Sequence, residues 1–324
     1  MLSSRPCGFT TTSLTTLGFG AWAIGGNAFG ATDDSVSIAA LRTAYDCGAR
    51  FIDTADVYGK GHSEALICQA LGDKRDDLVI ASKVGFNFYD GSFRGTFDGD
   101  YIRRCCDLSL QRLGTHVIDI YQLHNPPVEA IESGEAQSAL LGLQQAGKIR
   151  LPAVSVSQVN QAPAALGVPL YQAMQIIYNV IDQRPRTWGV LDEARVKGVG
   201  VIARVPLAHG LLTGKYQPWH VWKTPELEFR AKKPGDEIGQ YLHRVKRFQR
   251  LVKEGVADSI VELALRFCIS DPGVTSVIPG LKSPDQVHSA VAAIEKGPLP
   301  ADALAFINGE GLGMEPLDRA LATI

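Results

Sequence analysis

Three short segments in the first 124 residues carry groups that could move a proton at a carbonyl. F-I-D-T-A-D-V-Y-G holds Asp53, Asp56 and Tyr58, A-S-K-V-G holds Lys83, and Y-Q-L-H-N holds His124. A lysine is seldom buried without a partner, so Lys83 in an apolar run calls for an aspartate beside it. An ammonium next to a phenol favours the phenolate, and is expected to lower the Tyr58 pKa from about 10. A nearby histidine can hydrogen-bond to a carbonyl oxygen. Together these residues describe a tuned phenol that gives or takes a proton at a carbonyl or an alcohol. Each also has a plainer reading. Asp53 could cap a turn with Thr54, Tyr58 could be a packed aromatic, Lys83 could reach solvent, and His124 could bond to Asn125 or a carbonyl. A lysine at a strand end also permits Schiff-base chemistry.

A repeating frame must position these groups. Short β-branched runs alternate with longer amphipathic ones. Candidate strands lie at Leu17–Trp22, Arg50–Ala55, Leu78–Val84, Asp119–His124, Ala153–Ser157, Ala173–Asn179, Gly200–Val205 and Val274–Pro279. Most are apolar on both faces, which suits a parallel sheet covered on both sides. Helical patterns lie between them, and several stop at glycine: Ile102–Leu113 at Gly114, Ala139–Ala146 at Gly147, Val190–Val196 before Gly198. Eight such units, at about 40 residues each, predict an α/β protein, a (β/α)8 TIM barrel, as one domain over 1–324. Barrels place catalytic groups at the C-terminal ends of strands, and Asp53, Tyr58, Lys83 and His124 fall at three consecutive ends. An N-terminal β-hairpin is expected around Gly8–Thr16. Lys215–Lys253 breaks the rhythm between strands seven and eight, as a long loop with an extra helix near Tyr241–Leu251. Its ten Lys/Arg against four Asp/Glu suit an anionic dinucleotide.

Composition excludes other classes. Over 324 residues, 32 Lys+Arg stand against 34 Asp+Glu, which argues against binding nucleic acid through bulk charge. No apolar run reaches the ~18 residues of a membrane span, and the N-terminus has no signal-peptide core. Six cysteines without C-x-x-C fit reduced, cytoplasmic thiols. No histidine pair has metal-ligand spacing, so no metal is expected. G-F-G-A-W-A imitates a dinucleotide fingerprint, but Gly25, Gly26 and Gly30 follow and no helix begins there. G-L-L-T-G-K is one residue short of a phosphate loop, with Tyr216 where Ser or Thr is required.

F-I-D-T-A-D-V-Y-G followed by G-H-S-E, with S-K-V and Y-Q-L-H arriving in order, resembles the aldo-keto reductases. The resemblance runs from L-G-F-G-A-W to A-A-I-E. It implies a barrel that uses NAD(P)H without a Rossmann domain and passes hydride to the carbonyl of a small aldehyde, ketone or sugar. The family's tetrad falls on Asp53, Tyr58, Lys83 and His124. Tyr58 would protonate the oxygen, Lys83 and Asp53 would tune it, and His124 would orient the substrate. Ser157 and Gln158 stand where the family has Ser-Asn at the nicotinamide carboxamide, and Gln175 matches a glutamine on the same group. Arg204 replaces an aromatic that stacks on the ring in many members. P-L-A-H-G-L-L-T-G-K resembles the cofactor-covering loop, with Pro206, Leu207, Gly210 and Leu212. Gly20, Ala21, Trp22 and Gly280 are further implied cofactor neighbours. At the phosphate end, Ser283 opens a helix, Lys282 resembles the residue that meets the 2′-phosphate of NADP, and Gln286 matches a residue at the adenosine. Ala290 replaces a common asparagine at the adenine. NADP(H) is favoured on Lys282, with NAD(H) as the alternative. Trp22, Phe86, Trp219 and Trp222 would line the substrate pocket. Potassium-channel β subunits share this fold and tetrad, so a cofactor-binding regulatory module is the second reading.

Overall fold

The computed structural model describes residues 2–311, apart from 27, 218, 223, 224, 233 and 234. Lys223 and Lys233 of the basic loop therefore lie outside the described residues. Strands follow in chain order: β1 (Ser4–Pro6), β2 (Ser13–Thr15), β3 (Gly18–Gly20), β4 (Phe51–Asp53), β5 (Val79–Val84), β6 (Phe86–Asn87), β7 (Arg94–Gly95), β8 (Ile118–His124), β9 (Ile149–Ser155), β10 (Ala173–Ile177), β11 (Gly200–Arg204) and β12 (Ser276–Ile278). Eight of them, β3, β4, β5, β8, β9, β10, β11 and β12, pair in that order, all parallel. Parallel bridges Leu17–Val277 and Gly20–Gly280 join the two ends of this sheet. At that seam the Gly20 amide donates to the Pro279 carbonyl at 2.9 Å. A Cβ on Gly20 would sit 2.8 Å from that same oxygen, so a side chain there would hold the seam open. The result is a (β/α)8 barrel whose eight-stranded sheet closes on itself at that seam.

The barrel interior is built by alternation. Phe51, Ala81, Ile120, Ala153, Ala173, Ile202 and Ile278 form one apolar layer, and Leu14 and Cys7 of the hairpin close it from below. Side chains two residues further along a strand point the same way. That step places Asp53, Lys83, Gln122, Ser155, Gln175 and Arg204 in the next layer up, and one more step along β8 reaches His124. The floor is therefore greasy and the layer above it polar.

Helices cover the outside: α1 (Asp34–Asp46), α2 (His62–Leu71), α3 (Gly99–Leu113), α4 (Val128–Ile131), α5 (Gly134–Gln145), α6 (Ala162–Gly167), α7 (Arg184–Thr187), α8 (Val190–Lys197), α9 (Gly235–Lys253), α10 (Ile260–Ser270), α11 (Pro284–Glu295) and α12 (Ala301–Gly311). Asp33 caps α1 by accepting from the Val36 amide at 3.1 Å, and α3 stops at left-handed Gly114. The expected elements are present with shifted bounds. The hairpin begins at Ser4 rather than Gly8, because residues 7–12 form its turn. The extra helix begins at Gly235, earlier than Tyr241, and short 3₁₀ turns at Ala208–Thr213, Pro225–Leu227 and Phe229–Lys232 precede it. The strand ending at Val205 stops at Arg204, because Val205 turns to φ 55°.

Candidate active site

Lys83 is the hub of the polar layer. It is fully buried at the end of β5. Its ammonium donates to Asp53 Oδ2 at 2.6 Å, to the Thr54 carbonyl at 2.8 Å and to the Tyr58 hydroxyl at 3.3 Å. Three donors meet three acceptors. The second Asp53 oxygen accepts from Gln122 Nε2 at 3.1 Å and Gln175 Nε2 at 2.6 Å, and Ser155 Oγ donates to Gln175 Oε1 at 3.3 Å. A buried ion pair is destabilising unless its remaining lone pairs are satisfied. Here the barrel wall satisfies them. Gln175 thus holds the aspartate, and Gln122 and Ser155 join it without having been singled out in the sequence. The rule of alternating side chains finds both, once Lys83 is placed inside.

Tyr58 leaves the turn after β4 and is held from the side. The β3–α1 loop presses on its backbone at Gly25, where a Cβ would lie 2.9 Å from the Gly59 nitrogen, and Gly59 itself has φ 61°. Burial pushes the Tyr58 phenol above its ordinary value, with Lys83 acting in the opposite direction. The expected net lowering is therefore corrected: desolvation of the phenolate outweighs the nearby ammonium. His124 lies edge-on to Tyr58, with ring centroids 5.8 Å apart. Burial, then Lys83 and Arg204, hold its imidazole well below the usual range, so it is neutral at pH 7. Its Nδ1 has no hydrogen-bond partner among the described residues. Asn125 does not serve it, since Asn125 Oδ1 accepts from Arg204 at 3.2 Å. Arg204 also donates to the Val156 carbonyl at 3.1 Å. Asp56 lies in the turn between β4 and Tyr58, fully buried. Neither of its oxygens has a partner among the described residues, and burial, reinforced by Glu64, raises its pKa well above the usual range.

An aromatic roof covers Tyr58. Trp22 stacks on it at 5.8 Å and 20°, and Phe29, Phe229 and His209 surround Trp22 at 4.8, 5.7 and 6.0 Å. Phe86 packs edge-on against His124 at 5.1 Å. Of the four expected wall residues, Trp22 and Phe86 reach the tetrad. Trp219 is 76% exposed, and Trp222 packs on Tyr216, His220 and the Arg230 guanidinium. Both tryptophans belong to a loop rich in aromatics, where composition carries no direction. Phe29, His209 and Phe229 carry no periodic signal and were missed.

The implied cofactor neighbours form two groups. After β9, the Gln161 side-chain oxygen accepts from the Ser157 amide, the Ser157 hydroxyl and the Gln158 amide at 3.0, 3.1 and 2.9 Å, and the Gln158 side chain closes a capping box with Gln161. Gln161 therefore organises this loop. After β11, Val205, Ala208 and His209 all have positive φ, and Pro206, Leu207, Gly210 and Leu212 lie among them. A β-branched residue at φ 55° is costly, and such strain gathers at functional loops. At the far end, Gly280 pairs with Gly20 at the seam, beside Ala21. Ser283 caps the twelve-residue helix α11, and the Lys282 amide donates to Gln286 Oε1 at 2.8 Å. Ala290 is buried on α11. The Lys282 ammonium donates to the Phe29 and Ala31 carbonyls at 2.8 and 3.4 Å.

The Aldo/keto reductase family model matches residues 16–309. The chain belongs to the aldo/keto reductase family. As a member of it, the protein is an oxidoreductase-family enzyme, and its relatives agree. It is 32% identical over 279 residues to aldo-keto reductase YhdN of Bacillus subtilis, covering 84% of this chain and 83% of that one. It is 29% identical to aldo-keto reductase yakc [NADP(+)] of Schizosaccharomyces pombe (78% and 76% covered). It is 30% identical to NADH-specific methylglyoxal reductase of Escherichia coli (92% and 95%). Among solved structures, the holo form of aldo-keto reductase AKR11C1 from Bacillus halodurans superposes with TM-score 0.78 at 27% identity, covering 96% of each chain. Glycerol dehydrogenase AKR11B4 from Gluconobacter oxydans gives 0.79 at 27% identity, covering 98% of each. In this aldo/keto reductase, no described helix is long and apolar enough to cross a membrane.

Proposed function

We propose that this protein interconverts the carbonyl and alcohol of a small aldehyde, ketone or sugar, with Tyr58 as the proton donor and acceptor. The observation that carries this reading is the buried Lys83 ammonium, which grips Asp53 and the Tyr58 hydroxyl at once. A bound nicotinamide dinucleotide supplies or takes the hydride. The residues present suit such a cofactor: among the described residues His124 Nδ1 is a buried atom without a partner at the tetrad, and α11, capped by Ser283, presents a helix N-terminus that suits an anion.

Tyr58 arrives protonated, because burial disfavours its phenolate. As its proton leaves for the substrate oxygen, Lys83 is already in place to hold the phenolate, and Asp53 keeps Lys83 there. Neutral His124 orients the substrate oxygen without adding a second cation beside Lys83. Trp22, Phe86 and Phe229 exclude water from the reacting centre. Methylglyoxal reductase and glycerol dehydrogenase among the relatives support small oxygenated substrates, and the coenzymes named among them support either NADP(H) or NAD(H). Six free cysteines suit a reducing, cytoplasmic setting.

Tyr58→Phe tests the reading. Reduction of 4-nitrobenzaldehyde, followed by nicotinamide absorbance, should fall by about 10²–10⁴-fold, the range a general acid contributes. A wild-type rate would remove Tyr58 from the chemistry. Borohydride treatment with substrate should leave Lys83 unmodified; a reduced adduct would mean Schiff-base chemistry instead.

A further inference from the structure

Behind the barrel wall, a second polar network backs the tetrad. Glu64 is fully buried on α2. Its Oε1 accepts from Ser82 Oγ and its Oε2 from Arg112 Nε, both at 2.6 Å. Ser82 precedes Lys83 on β5, and Glu64 follows Ser63, whose amide donates to the Tyr58 carbonyl at 3.2 Å. The Arg112 fork has two further ends. One donates to the Tyr89 hydroxyl at 3.1 Å and the other to Ser109 Oγ at 3.3 Å. From α3, Arg112 therefore joins the helix that follows Tyr58, the strand that carries Lys83 (through Glu64) and the hairpin of β6 and β7. Burial works against its charge, but Glu64 outweighs burial and its pKa is raised. Arg112 is also the cation that acts most on Asp56, two residues before Tyr58.

The turn that carries Tyr58 needs such support. Gly59, Lys60 and Gly61 have φ of 61°, 55° and 94°, three left-handed residues in a row. That conformation is costly for Lys60 and persists only where the surroundings fix it. On one side, a Cβ on Gly59 would lie 2.3 Å from the Gly25 carbonyl oxygen; on the other, a Cβ on Gly61 would lie 2.5 Å from Arg112 Cδ. The turn is thus held between the β3–α1 loop and the Arg112 stem. Placement matters here because the Lys83–Tyr58 contact is the longest of the ammonium's three, at 3.3 Å. A shift of a few tenths of an ångström outward would end it. The hairpin bears on the same turn. Phe88 packs with Ala55, Val57 and Tyr58, and stacks on Tyr89 with ring centroids 4.1 Å apart.

We propose that Arg112 is a positioning residue for proton transfer: it holds the Tyr58 turn against the Lys83 strand, and its bond to Tyr89 makes the hairpin part of the same support. The proposal rests on the reading of Tyr58 as proton donor and acceptor. Arginine suits the place because its planar fork meets three partners at once, where a lysine is a single point of charge. Arg112 acts through Glu64, Gly61 and Tyr89.

Arg112→Lys and Tyr89→Phe provide the test. Arg112→Lys keeps a charge beside Glu64 but gives up the fork; Tyr89→Phe removes one hydroxyl and keeps the ring. With 4-nitrobenzaldehyde, kcat should fall about tenfold in Arg112→Lys and roughly threefold in Tyr89→Phe, with KM changed by no more than about twofold. The double variant should lose no more than Arg112→Lys, since both changes cut the same link. Oxidation of 4-nitrobenzyl alcohol needs the phenolate, which Lys83 favours. Its rise with pH should therefore move up by about one unit in Arg112→Lys. Lys83, Asp53, Arg204 and His124, the charged and titratable groups that face Tyr58, are untouched in both variants. In the coenzyme-free protein, the resonance of isotope-labelled Tyr58 Cζ, assigned by its loss in Tyr58→Phe, should shift in both variants. A lower urea midpoint in Arg112→Lys, with kcat and the pH profile unchanged, would overturn the proposal and leave Arg112 a structural residue. Losses that multiply in the double variant would overturn the hairpin link. An unmoved Tyr58 resonance would overturn the positioning. Wild-type activity in Tyr58→Phe would overturn the Tyr58 reading and with it the proton-transfer half, while a shifted resonance would still support Arg112 as the residue that places the ring.

Discussion

The barrel wall and the strap made by two loops paired over Trp22 hold opposite sides of one catalytic tyrosine candidate, and they do so by different means. On the wall, Asp53, Lys83, Gln122 and Gln175 stand on strands of one parallel sheet, with their geometry set by ladder register and both Asp53 oxygens paired inside the barrel. On the strap, residues 28–30 and 227–230 meet through one short bridge, two basic side chains and a cluster of rings. The wall makes its hydrogen bonds where water is absent, so each is costly to break. The strap buries its Glu228–Arg230 pair as well, but hangs it on loops joined by one short bridge, where local opening is easier. A site that must hold a proton donor still and yet admit a substrate gains from that division.

Lys83→Met should break the wall, and has the largest expected effect. It removes the partner of a buried carboxylate, which costs about 3–5 kcal/mol. Urea denaturation should show a lower midpoint, and carbonyl reduction should be lost. A stable, active variant would mean that Asp53 is held by its glutamines alone. Arg230→Met should break the strap instead. Limited proteolysis should cut near residues 208–232 faster, KM should rise, and the unfolding midpoint should move less than for Lys83→Met. A larger loss of stability than Lys83→Met would reverse the contrast between the two regions.

The smallest effect concerns the turn that leads from the wall to Tyr58. The Asp56 carboxyl is buried there with no partner among the described residues, and its folded pKa is raised above its unfolded value of about 3.9. For such an acid, stability is full below the unfolded pKa and is lost as pH rises toward the folded one. Asp56→Asn removes that titration. Thermal melts should place the variant level with the wild type near pH 4 and above it at pH 8. Parallel curves across that range would show that Asp56 ionises without penalty.

How much of this was legible before folding depends on which physical rule set each residue. Lys83 inside an apolar run and His124 at a strand end followed from alternation and from where barrels keep their chemistry. The eight strands followed from the same apolar runs, although β3, β4 and β12 came out shorter than their patterns and β9 begins earlier, at Ile149. Gln122 and Ser155 obey that rule too, but only the strand register shows that they meet Asp53 and Gln175. The net direction of the Tyr58 shift could not be read, because spacing reports a neighbouring charge and not the water lost around a ring. Phe29, Phe229 and the Glu228–Arg230 pair lie in loops whose contacts span most of the chain, and no period connects them. Trp219 belongs to the same kind of loop and faces solvent instead of the expected pocket.

The seam between β3 and β12 has a consequence for how the protein comes into being. Leu17 and Gly20 pair with Val277 and Gly280, so the first barrel strand waits for the last. A ribosome delivers β3 early and β12 only when most of the chain has emerged. Until then β3 has an open side, and Lys282 does not yet exist to reach Phe29. Contacts this distant in sequence slow folding and leave strand edges exposed to wrong partners meanwhile. The nascent chain therefore carries its whole proton-transfer motif well before it has a vessel to enclose it.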